Sequence, residues 1–261
     1  QESINSLASA SGQQFPGDAF KQISSAAVQQ ASTEETSWGI SSFFTRVNYD
    51  LNKKYMLTFN LRADASSRFG KDNRWGTFPS VALGWRLSDE NFMSGINAIN
   101  DLKIRASYGA TGNQNGLDNF QSRGLWGGQA GGLNGGGGTN QLNNTGAAAA
   151  YGAAPGFIPN QLENPDLKWE TTYQFNIGFD MAILQDRVNV SLDYYNKQTK
   201  DLLLDVPVPL STGYSTLFQN YGEMENKGLE LAISATPVST PDLRWDVNFN
   251  ISGNRNKITK I

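Results

Sequence analysis

The chain has 261 residues, and its 21 Lys and Arg against 24 Asp and Glu leave a net charge of −3. This near-balance excludes the basic surplus of a nucleic-acid binder. The absence of both His and Cys excludes disulfides, thiolate and HExxH metal sites, iron–sulfur clusters, Cys nucleophiles and Ser–His catalysis.

Residues 1–40 open on Gln1, without Met or a basic-plus-apolar leader. That start is expected of a processed chain or an interior portion. They lack strand alternation, while Phe20, Ile23, Ala27 and Val28 suggest a loop region with a short amphipathic helix. From residue 41 onward the pattern has period two. Phe43, Thr45, Val47 and Tyr49 alternate with Phe44, Arg46, Asn48 and Asp50. Tyr55, Leu57, Phe59 and Leu61 alternate with Met56, Thr58, Asn60 and Arg62, and the segment ends on Asp64. Val81, Leu83 and Trp85 follow in 79–87, and Leu102, Ile104, Ala106 and Tyr108 in 102–111. Residues 112–168 are read as one long loop, Gly-rich and low in complexity over 124–156. The alternation resumes at 171–180 (Tyr173, Phe175, Ile177, Phe179), 187–197 (Val188, Val190, Leu192, Tyr194), 225–235 (Leu229, Leu231, Ile233) and 243–253 (Trp245, Val247, Phe249, Ile251).

These segments are about eight to eleven residues long, the length that crosses a bilayer when tilted. A soluble sandwich uses shorter strands. Connections at 52–54, 184–186 and 236–242 are short, those at 66–78, 112–168 and 199–224 are long, and 88–101 is intermediate. No stretch is apolar enough for a membrane helix, but barrel strands carry no such run. The fold class expected is therefore all-β: a section of antiparallel transmembrane β-barrel, about eight long strands with long extracellular loops. Residues 41–261 form the barrel part and 1–40 an extracellular loop region. Trp85, Trp169, Trp245, Tyr49, Tyr55, Tyr108 and Tyr194 are candidates for the aromatic girdle.

Six stretches in order then carry a family resemblance. They are Ser41–Met93, INDLKIRASYGATGNQ (Ile99–Gln114), NPDLKWETTYQFNIGFD (Asn164–Asp180), VSLDYYNKQTKDLLL (Val190–Leu204), GEMENKGLEL (Gly222–Leu231) and WDVNFNISGNRNKITKI (Trp245–Ile261). Over residues 15–261 the chain resembles the SusC/RagA family of TonB-dependent outer-membrane transporters. The resemblance implies a barrel of about 22 strands with a plugged lumen. It also implies a TonB box coupled to TonB–ExbB–ExbD, a SusD-like surface lipoprotein as lid, and glycan or peptide as cargo. Plug, TonB box and the last barrel strands lie outside this segment, so an interior barrel portion is expected. The alternative is a passive porin or a small structural barrel.

Candidate sites are weighed against structural roles. Arg68, Arg74, Trp75 and Trp126 could contact cargo, because Trp stacks on sugar rings and Arg donates fixed hydrogen bonds. The competing reading is a loop folded onto the barrel wall. Asn113 and Gln114 could bind hydroxyls or could serve turn chemistry. The charged row Arg46, Arg62, Asp64, Lys103, Arg105, Asp180, Asp193, Glu230, Arg244 and Asp246 falls on the polar face, where it would line a lumen. No catalytic pair, metal set or cofactor motif emerges: the Gly runs lack the Lys-Ser/Thr of a P-loop and no EF-hand spacing is present.

Overall fold

A computed structural model describes residues 2–13, 22, 28–96, 98–128, 150–151, 154–155 and 157–261. Its centre is one antiparallel sheet of nine strands. In order across the sheet these are β1 (Glu2–Gln13), β2 (Val28–Leu51), β3 (Tyr55–Ser66), β4 (Trp75–Arg86), β5 (Ile99–Asn113), β10 (Glu170–Ile183), β11 (Val188–Lys200), β14 (Glu223–Ser239) and β15 (Arg244–Lys260). The long loops contribute three small hairpins: β6 (Leu125–Gly128) with β9 (Phe157–Gln161), β7 (Ala150–Tyr151) with β8 (Ala154–Pro155), and β12 (Leu203–Pro207) with β13 (Thr216–Asn220). All eight expected strands are present, and among the described residues β1 and β15 do not pair to close the sheet.

The expectation of a strandless region over 1–40 is corrected. β1 pairs with β2 from Glu2 opposite Gly39 to Gln13 opposite Val28. Backbone pairing needs no apolar alternation, so polar residues such as Ser3, Asn5 and Ser9 can form a ladder that hydrophobic periodicity does not mark. Val28 opens β2 rather than closing a helix. Phe20, Ile23 and Ala27 lie outside the described residues, as does the Gly-rich centre of the long loop, 129–149.

The register keeps the two faces separate. Val47 lies opposite Phe59, Phe59 opposite Val81, and Val81 opposite Tyr108. Tyr108 faces Phe175. Farther along the sheet, Phe179 faces Leu192, Leu192 faces Leu231 and Leu231 faces Ile251. A slip of one residue anywhere would exchange the faces, so the pattern fixes the register. The apolar face is solvent-exposed in the isolated sheet, with Val47 at 54%, Leu83 at 56% and Phe249 at 53%. Among the described residues no second sheet covers it, which separates this arrangement from a sandwich.

Short turns gather at one end. Asn52 and Lys53 adopt φ of 57° and 58°, the left-handed pair of a tight hairpin, and Asp50 Oδ1 accepts the Lys53 amide at 2.7 Å. Neighbouring turns bond laterally, Leu184 N–H to Ala98 O at 3.3 Å and Thr236 N–H to Arg187 O at 2.8 Å. In β14 the register shifts between Ala235 and Val238. Pro237 sits at that bulge, where no ladder donor is needed.

The opposite end holds the buried apolar cluster of Phe69, Phe78, Leu117, Leu167 and Trp169. Phe69 and Phe78 meet the Trp169 ring at centroid distances of 4.7 and 5.6 Å. The Trp169 Nε1–H donates to Arg74 O at 2.9 Å. Trp169 is thus a core residue, correcting its place among the girdle candidates. Gly70 N–H donates to Leu167 O at 3.2 Å, and a Cβ on Gly70 would sit 1.7 Å from Pro165 O. The two loops therefore touch backbone to backbone.

Removing a buried Trp from such a cluster costs about 3–5 kcal/mol. Trp169→Ala in the full-length protein is therefore expected to raise cleavage at the long loops by about a hundredfold or more in limited proteolysis. Trp245→Ala, on the exposed apolar face, leaves that rate unchanged. Equal effects would contradict the cluster as the lock of the loops.

Candidate functional site

The polar face carries all ten charged candidates. Its centre is Arg105 on β5. The guanidinium donates from Nε to Asp180 Oδ2 at 2.7 Å and from Nη2 to Asp180 Oδ1 at 2.9 Å, a bidentate pair. Nη2 also reaches the Asp193 carboxylate at 3.1 Å and Ser191 Oγ at 3.4 Å. Ser191 Oγ–H donates to Asp180 Oδ1 at 2.8 Å. Arg105 and Asp193 lie on strands either side of Gly178, which opposes both in register. A Cβ there would stand 2.2 Å from Asp193 Oδ1, so glycine leaves the gap across which the pair closes.

Around this centre, Lys103 opposes Asp180 and Glu230 opposes Asp193 in register. Arg62 Nε donates to Asp64 at 2.7 Å and Nη2 to Ser42 Oγ at 3.1 Å. Arg244 holds Asp246 at 2.9 Å near the short turns, where Thr236 Oγ1–H adds a bond at 2.6 Å. Arg46 and Glu230 are exposed and form no ion pair among the described residues. Exposed and partly exposed pairs of this kind add little stability. Their effect is to fix where charge stands. A groove of about 440 Å³ runs between Asn48, Asp50, Thr58, Lys103, Arg105 and Asp193.

At the long-loop end the cargo candidates separate. Arg68 stacks over Trp38 at 4.6 Å and donates to Asn119 Oδ1 at 3.0 Å. Asn113 donates to Glu170 Oε1 at 2.8 Å and accepts the Asn115 amide at 2.9 Å, an Asx turn. Both side chains are engaged in holding loops. Trp75 stacks on Phe43 at 6.1 Å, and its register opposite Ala65 puts it on the apolar face. It therefore stands apart from Arg68 and Arg74, on the face opposite the charged row. Arg74 is exposed. Gln114 keeps a buried Oε1 with no hydrogen-bond donor among the described residues. Trp126 lies in β6, and its side chain falls outside the described residues.

Sequence reading missed the asparagine and glutamine clamps of this platform. Asn220 Nδ2 donates to Lys168 O at 2.8 Å and Asp201 O at 3.0 Å, while its Oδ1 accepts Lys168 N–H at 2.9 Å. Asn164 Nδ2 donates to Phe218 O at 2.9 Å. Gln161 Nε2 lies within 3.1 Å of the carbonyls of Phe120, Gln121 and Arg123.

At the short-turn end, Glu90 accepts from the Tyr55 hydroxyl at 2.6 Å and from Trp85 Nε1–H at 3.1 Å, with Lys54 Nζ at 3.6 Å. The Tyr55 bond, then the Trp85 bond, hold the Glu90 carboxyl below its ordinary range, with a smaller contribution from Lys54. Tyr49, Tyr55, Trp85 and Trp245 cluster towards this end of the apolar face, where an interfacial girdle belongs.

The family model "TonB dependent receptor-like, beta-barrel" matches residues 5–257, and the chain belongs to that family. It is a stretch of outer-membrane β-barrel. It is 40% identical over 222 residues to TonB-dependent receptor SusC of Bacteroides thetaiotaomicron, covering 84% of this chain and 21% of that protein. It is 39% identical over 242 residues to TonB-dependent receptor P39 of Formosa agariphila, covering 93% and 21%. Among solved structures it superposes on the RagAB peptide importer in its closed-closed state with a TM-score of 0.81 at 29% identity, covering all of this chain and 27% of that one. The chain thus spans about a fifth of the curated relatives it matches.

The lowered Glu90 carboxyl sets a pH dependence. A carboxyl whose folded value lies below its unfolded one stabilises the fold above the unfolded value, and that stability is lost as pH falls through the folded value. Parent and Glu90→Gln proteins should differ in thermal midpoint at neutral pH and converge on acidification below the ordinary carboxylate range near 4.5. A difference that persists unchanged at the acidic end would contradict the assignment.

Proposed function

We propose that this segment is barrel wall in an energy-coupled importer of glycans or peptides, with the polar face towards the lumen and the long loops towards the cell exterior. The observation that carries the reading is the division of the eight strands from β2 to β15, Phe43 onward, into an uncovered apolar face and a charged face centred on Arg105. The names of the relatives, a SusC receptor and a RagAB peptide importer, support the direction and class of transport. In this reading the ordered charges Arg46, Arg62, Asp64, Lys103, Arg105, Asp180, Asp193, Glu230, Arg244 and Asp246 hold a plug through ion pairs and water.

Cargo enters at the long-loop end beneath a SusD-like lipoprotein lid. Arg74 offers it a polar contact, whereas Arg68 and Asn113 set the loops. TonB–ExbB–ExbD supplies the work that displaces the plug, through a TonB box beyond this segment. The wall does no covalent chemistry: it lacks the His and Cys on which common hydrolytic centres depend, and needs no cofactor or metal.

The test is uptake of fluorescent oligosaccharides and oligopeptides by cells expressing the full-length protein, with and without a protonophore or a tonB deletion. The reading expects accumulation of one cargo class that collapses when energy coupling is removed. Uptake that continues unchanged without energy would instead identify a passive porin.

A further inference from the structure

The apolar face changes character at the long-loop end of one sector. On β15 the outward residues run from Trp245 through Val247, Phe249 and Ile251 to Gly253, and the next two are Arg255 and Lys257. On β14, Leu229 is followed towards the loops by Lys227 and Glu225, and on β11, Tyr194 by Asn196, Gln198 and Lys200. The register aligns these rows: Lys227 opposes Asn196 and Arg255, Glu225 opposes Gln198 and Lys257, and Glu223 opposes Lys200. Four cations thus share a patch with two carboxylates.

The carboxylate of Glu225 is already engaged, by Lys227 Nζ at 3.2 Å and Asn196 Nδ2 at 3.3 Å. Lys200 Nζ stands over the Tyr173 ring at 5.8 Å. Lys200 is exposed, and Arg255 and Lys257 lie on its face by register. At the same height the outward residues of β2 to β10 are uncharged, among them Ser41, Phe43, Ala63, Thr77, Ala110 and Thr171. Among the described residues the charge on this face is therefore gathered on β11, β14 and β15.

Trp245 to Gly253 is the span of one membrane-crossing strand, which puts Arg255 and Lys257 at headgroup level. Cations at that level face lipid headgroups, and a cluster of them attracts anionic ones. We infer that Lys200, Lys227, Arg255 and Lys257 form a binding site for a phosphorylated glycolipid of the outer leaflet. Its phosphates meet the exposed cations in charge-assisted hydrogen bonds, and its acyl chains lie along Tyr194, Leu229 and Ile251. The leaflet assignment rests on the orientation in the proposed function, with the long loops outside.

The test uses the full-length protein in nanodiscs of phosphatidylethanolamine containing bisphosphorylated lipid A or the same lipid with its phosphates removed. Native mass spectrometry reads the lipid retained after extraction. The parent should retain phosphorylated lipid A and lose the dephosphorylated form. Lys200→Gln with Arg255→Gln and Lys257→Gln should lower retention by about tenfold, and Arg255→Gln alone by an intermediate factor.

Retention that ignores the phosphates, or is equal in all variants, would overturn the site. Retention of phosphatidylglycerol to the same degree would likewise overturn a glycolipid site. Leu210→Cys probed with an impermeant maleimide on intact cells separates the two ideas. Labelling with no lipid effect sinks only this inference, whereas an unlabelled loop sinks the orientation beneath it.

Discussion

Everything in this chain follows from one constraint: in a hydrocarbon layer each backbone N–H and C=O must find a partner within the protein. A strand meets that demand only through neighbours on both sides, so the chain is committed to a wide antiparallel sheet. Side chains are then free to differ between faces. The ladder from β2 to β15 is continuous through eight strands, and at each step the apolar residues of one strand meet apolar residues of the next. Because the backbone holds the wall together, the sheet needs little core. The buried apolar side chains among the described residues collect at one end, where the chain leaves the ladder and must be held by packing.

That division of labour explains where polar chemistry appears. On the charged face, pairs such as Arg105 with Asp180 and Asp193 are short but partly open to water. They add little stability and considerable positional order. Gly178 shows how the backbone serves them, by omitting the side chain that would block the closure. At the loop end, Asn164, Asn220 and Gln161 bond to carbonyls that no ladder reaches. There the problem of unpaired backbone is solved by amide side chains instead of strands.

The strands within lipid were legible in the sequence because their two faces meet different solvents. The same logic hid β1 and the first part of β2. A ladder with no apolar neighbour leaves no period-two trace, and Ser6, Ser9 and Ser11 of β1 stand opposite Glu35, Ser32 and Gln30 in a polar stretch of the ladder. Turn chemistry was legible at Asn113, where an amide side chain caps its own turn. Trp75 and Trp169 were each read for a role that suits a Trp, yet Trp75 lies on the membrane face and Trp169 in the core. Residue type alone does not separate these places. Parity from the strand does for Trp75, while Trp169 required the long-range contact with Phe69. The Arg105 network joins three strands across gaps of 75 and 88 residues, a juxtaposition that only register reveals.

A barrel wall requires that the apolar face of the sheet meets lipid, and spin-label accessibility along β4 tests that directly. Nitroxides placed singly at Ser80, Val81, Ala82, Leu83, Gly84 and Trp85 in the full-length protein, in lipid vesicles, report contact with dissolved oxygen against a water-soluble nickel chelate. The structure predicts oxygen-favoured maxima at Val81, Leu83 and Trp85 with minima between them. A profile without period two, or with its maxima at Ser80, Ala82 and Gly84, would contradict the assignment of the faces and the barrel wall built on it.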